Sequence, residues 1–100
     1  MTPQERAVHY EALYQKYQDQ INQLQMIVDQ HEEFLPIFKE LSDYYSSQVY
    51  FDDLDASNSG KIDPNIPQGI YSEDQLYNLF FQHHQVAIQI LDLASEMLKQ

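Results

Sequence analysis

The stretch Tyr10–Phe38, YEALYQKYQDQINQLQMIVDQHEEFLPIF, decides the fold. Its apolar and aromatic positions step by four and three through Tyr10, Tyr14, Tyr17, Ile21, Leu24, Val28, His31, Leu35 and Phe38, which is a heptad seam. Between them lie Gln15, Gln18, Gln20, Gln23, Gln25 and Asp29, a polar face built largely from uncharged residues that favour helix. The segment reads as one long amphipathic helix. Thr2 followed by Pro3 supplies a cap and a first helical residue, so the helix is expected to start there.

Working outward, Pro36 lacks an amide hydrogen and crowds the preceding turn, which predicts a kink or a break at that point. The apolar stripe continues beyond it through Ile37, Phe38, Leu41, Tyr44, Tyr45 and Val49. Ser57, Asn58, Ser59, Gly60, Pro64, Pro67 and Gly69 then mark a long connection, in which Ile62, Ile66 and Ile70 are expected to pack back over the helices. Ser72 is positioned to cap the next helix, with Glu73 and Asp74 in its first turn and Gln75 completing a capping box. Along that helix Leu76, Tyr77, Phe80, His84, Ala87, Leu91, Ala94 and Leu98 are expected on one buried face, widened by Leu79, Val86, Ile90, Leu93 and Met97.

The fold class is therefore all-α. The expected architecture is an antiparallel helical bundle forming a single domain over residues 1–100. Its N-terminal helix is kinked or broken near Pro36, an ordered loop runs from about 51 to 71, and a C-terminal helix from about 72 to 99. A homodimer sharing the apolar faces is the alternative arrangement.

Composition narrows the partners. Sixteen Asp and Glu against five Lys and Arg give a formal net charge of −11, which repels phosphate backbones and anionic lipid, so neither nucleic acid nor a membrane surface is expected. The absence of cysteine removes disulfides, thiol nucleophiles and thiolate metal sites. The opening MTPQERAVHYEAL has no apolar core of the signal-peptide kind, and no apolar run of ~18 residues occurs, which together suggest a cytoplasmic protein.

The run Asp43–Tyr45, the acidic stretch FDDLDAS and above all Gln68–Phe80, QGIYSEDQLYNLF, resemble the domain-of-unknown-function 4298 family (DUF4298), small uncharacterised bacterial proteins. In that family a Tyr-Tyr pair precedes an acidic connection with glycine and proline, and a Ser-Glu-Asp turn opens a helix carrying an aromatic residue, Asn and Leu. Here these fall on Tyr44, Tyr45, Gly60, Pro64, Gly69, Ser72, Glu73, Asp74, Tyr77, Asn78 and Leu79, with Gln75 a departure where the family favours a small residue. The resemblance implies compact helices and brings no catalytic residue with it.

One stretch looks like a site. In DASNSGKIDPNI, Asp55–Ile66, aligning Gly60 with the glycine of an EF-hand loop puts Asp55, Ser57, Ser59 and Asp63 at oxygen-ligand positions. The twelfth position, which needs a bidentate carboxylate, is Ile66, and Pro64 and Pro67 oppose the exit helix. The expected reading is a turn rather than a metal site, with a divalent-metal-responsive protein as the alternative. His83 and His84 are adjacent and diverge on a helix, while His31 and His84 fall on apolar stripes as core or boundary residues with hydrogen-bond partners. No nucleophile sits with a base at a recognisable spacing and only two glycines are present, so neither an enzyme nor a cofactor is expected. What remains is a protein–protein interaction or adaptor module. From Glu40 to Asp74 there are eight acids and one lysine, which suit a protein partner with a basic surface. Asp52, Asp53 and Asp55 are the partner-binding candidates on that side, and the ladder Tyr10, Tyr14 and Tyr17, whose bland explanation is core packing, is the other.

Overall fold

A computed structural model describes residues 1–100, and the chain is all-helical. Three α-helices follow one another, α1 at Pro3–Tyr45, α2 at Gln48–Asn58 and α3 at Gln75–Leu98, with a single 3₁₀ turn at Gly69–Tyr71 before the last. The chain divides into two units, Met1–Lys39 and Glu40–Gln100.

Within the first unit α1 begins where the sequence places it. The Glu5 amide donates to Thr2 Oγ1 at 3.1 Å and the Thr2 amide donates back to Glu5 Oε1 at 3.3 Å, a reciprocal capping box with Pro3 as the first helical residue. α1 then runs through Pro36 without a break, which removes the break from the kink-or-break alternatives. Proline at that point costs one intrahelical hydrogen bond, a local loss that helical residues on both sides outweigh. No residue of α1 is buried, and within the first unit only Gln18, Ile21, Leu24 and Phe38 reach intermediate exposure.

The second unit holds what core there is. α1 ends at Tyr45, and the real interruption of the stripe falls at Ser46–Ser47 rather than at Pro36. Ser47, in an extended conformation, caps α2 by accepting the Tyr50 amide at 3.2 Å, and its hydroxyl donates to the Tyr44 carbonyl at 2.6 Å. Residues 51–58, expected in a loop, belong to α2, so the ordered connection is confined to the stretch after Asn58. α2 ends in a Schellman motif: the Gly60 amide donates to Ser57 O at 3.2 Å and the Lys61 amide to Ala56 O at 2.9 Å, with Gly60 at a φ of 70°.

The start of the last helix also differs from expectation. Ser72 closes the 3₁₀ turn by donating its amide to Gly69 O at 3.0 Å, so it ends that turn instead of capping α3. Asp74 takes the cap position without a side-chain bond, and the Asn78 amide donates to its carbonyl at 2.8 Å. Gln75 is the first helical residue, and its side-chain amide lies where a Cβ on Gly69 would collide with it.

Two residues are buried, Tyr50 at 6% and Leu76 at 3% exposure. On α3 the more covered residues are Leu76, Phe80, His83 and Ala94, whereas Tyr77, His84, Leu91 and Leu98 are exposed. Within the second unit the core-facing line is thus rotated by about one residue from the expected one, and Leu91 is 69% exposed. Ile62 and Ile70 are half-buried, as expected of residues that pack back, but Ile66 is exposed.

Candidate interaction surface

The best-organised cluster of side chains lies where the end of α1, α2, the 3₁₀ turn and the start of α3 meet. Tyr50, three residues into α2, stands at its centre, with Tyr44 at 5.5 Å, Tyr45 at 5.1 Å and Tyr71 at 5.9 Å between ring centroids. Tyr45 in turn meets Phe80 of α3 edge-on at 5.3 Å. Edge-to-face and tilted contacts of this kind are favoured by the ring quadrupoles and add to the burial of the rings themselves.

The phenols are tied by hydrogen bonds. Tyr44 Oη donates to Asp53 Oδ2 at 2.6 Å and lies 2.6 Å from Tyr71 Oη. Because Tyr44 has one proton and gives it to the carboxylate, Tyr71 is the donor in the second bond. Tyr50 Oη donates to the Ile70 carbonyl at 3.2 Å. Burial first, and then the bonds to Asp53 and Tyr71, push the Tyr44 phenol well above the ordinary tyrosine range. Tyr50 is pushed up as well, chiefly by burial and then by its neighbours Tyr45 and Tyr71. The bonds join residues nine to twenty-seven positions apart: the first ties α1 to α2, and the other two clip the 3₁₀ turn onto these helices. Below them Gln68 holds the loop, accepting from Ser57 Oγ and donating to the carbonyls of Asp63 at 3.2 Å and Ile66 at 3.3 Å.

The sequence candidates separate on this frame. Of the acidic trio, Asp53 is half-buried and engaged with Tyr44, whereas Asp52 and Asp55 are exposed, Asp52 accepting from Gln48 Nε2 at 3.2 Å. In the EF-hand-like stretch, Asp55 and Ser57 lie within α2, Ser59 is its C-cap, and Asp63 turns the loop by accepting the Asn65 amide at 3.0 Å. No group of three or more His, Cys, Asp or Glu side chains is brought together in a way that could hold a metal ion. Among the histidines it is His83 that is half-buried, while His84 is exposed.

Within the first unit Tyr10, Tyr14 and Tyr17 are exposed, with a 3.4 Å bond from Tyr14 Oη to Gln18 Oε1 and an edge contact of Tyr10 with His9 at 4.9 Å. Leu13, Ile27, Val28, Phe34 and Leu35 on α1, and Val86, Ile90, Leu93 and Met97 on α3, are exposed too. The Tyr44–Asp53–Tyr71 link and the Ser47 cap were missed from the sequence. A Ser-Ser pair directly after two tyrosines was the available signal for the cap. No helix is long and apolar enough to cross a membrane.

Residues 8–93 match a family described as Domain of unknown function (DUF4298). No curated protein matches, and no solved structure does.

Proposed function

We propose, for a chain that belongs to the DUF4298 family, that it works as a helical protein–protein interaction module. The observation that carries this reading is the row of large apolar side chains left exposed along α1 and α3, against only two buried residues. Monomeric proteins rarely leave contiguous apolar surface of that extent in water, and rows of it mark surfaces that associate. In the working state these faces are covered by helices, and an antiparallel bundle is the packing that suits their periodicity.

The aromatic junction of Tyr44, Tyr45, Tyr50, Tyr71 and Phe80 then serves as the anchor that fixes α2 and the start of α3. The exposed carboxylates Asp52 and Asp55 would meet a basic patch on a partner, whereas Asp53 is committed to Tyr44.

Charging the faces tests the proposal. Ile27→Glu should abolish association through α1 and Ile90→Glu association through α3, each read by sedimentation and crosslinking, while the near-ultraviolet signal of the tyrosine junction is kept. If both variants associate as the unaltered chain does, the apolar rows are not an interface.

A further inference from the structure

Resting on the interaction-module reading, we infer that the α1 seam is covered by the same seam of a second copy of this chain, the two helices lying antiparallel. The seam lies wholly in the unit Met1–Lys39, a single helix with no buried residue. An isolated helix draws too little stability from its own hydrogen bonds to persist without a packed face. Its heptads place Tyr14, Ile21, Val28 and Leu35 at position a and Tyr10, Tyr17, Leu24, His31 and Phe38 at position d, four successive repeats. Pro36 follows an a position at b, on the side away from the seam.

The flanking positions choose the partner's direction. At g stand Leu13, Gln20, Ile27 and Phe34, mostly apolar, and at e stand Glu11, Gln18, Gln25, Glu32 and Lys39, all polar. In a parallel pair each g meets an e, which would set Ile27 against Glu32 and Phe34 against Lys39. Antiparallel pairing sets g against g and e against e, apolar edge on apolar edge and polar edge on polar edge. The chosen register packs Leu24 on the partner's Val28, Ile21 on the partner's His31, Tyr17 on the partner's Leu35 and Tyr14 on the partner's Phe38, with Tyr10 opposite the partner's Ser42. It also places Glu11 beside the partner's Lys39 at both ends. Slipping by one heptad would put Glu11 beside the partner's Glu32, a repulsive pair.

The area is sufficient. Tyr10, Tyr14, Tyr17 and Phe34 are each 57 to 62% exposed. Covering them alone removes roughly 1,000 Å² over two chains. The aliphatic a, d and g residues carry the interface into the standard class of about 1,600 Å².

The chain has no cysteine, so single thiols report geometry cleanly. Sedimentation of the full chain from low to high micromolar concentration should show a monomer–dimer equilibrium. Under oxidation Gln25→Cys, at the twofold axis, should crosslink the dimer, while Gln4→Cys, on the order of 60 Å from its counterpart, should not. Glu11→Lys should weaken the dimer roughly tenfold by setting two lysines together, and the double variant E11K/K39E should restore it. Equal crosslinking of both thiols, or no rescue by the double variant, overturns this pairing and leaves the module reading standing. A monomer at every concentration whose α1 amides exchange rapidly does the same. A monomer whose α1 amides are protected has its seam covered within one chain, which overturns both.

Discussion

Tyr44 ties three parts of the second unit together, because its hydroxyl joins Asp53 on α2 to Tyr71 in the 3₁₀ turn. Tyr44→Phe keeps the ring and removes both bonds, one of them to a carboxylate, and should cost about 1.5–3 kcal/mol in denaturant titrations. The same bonds predict a pH dependence. Tyr44 and Tyr50 have phenols raised above the ordinary value of about 10, so the stability they lend is fully present below that pH and drains away as pH rises beyond it. Alkaline melts should therefore show falling stability, with a shallower fall in Tyr44→Phe; an equal fall in both proteins would remove Tyr44 from the explanation. Asp53→Asn should destabilise, whereas Asp52→Asn and Asp55→Asn should lie within about 0.5 kcal/mol of the parent, since both are exposed. At Gly60 the φ of 70° is a left-handed conformation that suits glycine, so Gly60→Ala should cost on the order of 1 kcal/mol.

The helices are governed by their ends. Ser47→Ala removes the side-chain cap of α2 and should cost about 1 kcal/mol, while Ser72→Ala should change stability by less than about 0.5 kcal/mol because that residue caps nothing through its side chain. Leu76→Ala, at the most buried position of α3, should cost about 2–5 kcal/mol. The sequence carried the first cap and the seam openly, since Thr2, Pro3 and the four-three steps from Tyr10 to Phe38 are local signals. It misled at Ser72, because a Ser-Glu-Asp turn looks the same whether its serine opens a helix or closes a 3₁₀ turn begun at Gly69. It misled at Asp55 and Ser57 by placing them in the loop, whereas both belong to α2 and Gly60 ends that helix. The Tyr44–Tyr71 link was illegible because nothing local joins residues twenty-seven positions apart.

At the scale of the whole molecule the acidic charge and the uncovered apolar rows act together. A net charge of −11 opposes unordered clustering, while in the pairing proposed above the seam gives one ordered way to associate. Because the e edge sets Gln25 against itself and Gln18 against the partner's Glu32, with one acid–lysine pair near each end, raised salt should weaken the pairing only modestly. The most direct measurement is amide hydrogen exchange across residues 10–38 of the full chain as a function of its concentration. A seam covered by a second copy predicts protection that rises as the chain is concentrated and falls away on dilution, because a lone helix opens readily. Strong protection of the same amides to the same degree at every concentration would mean that the seam is covered within a single chain, and would contradict the account.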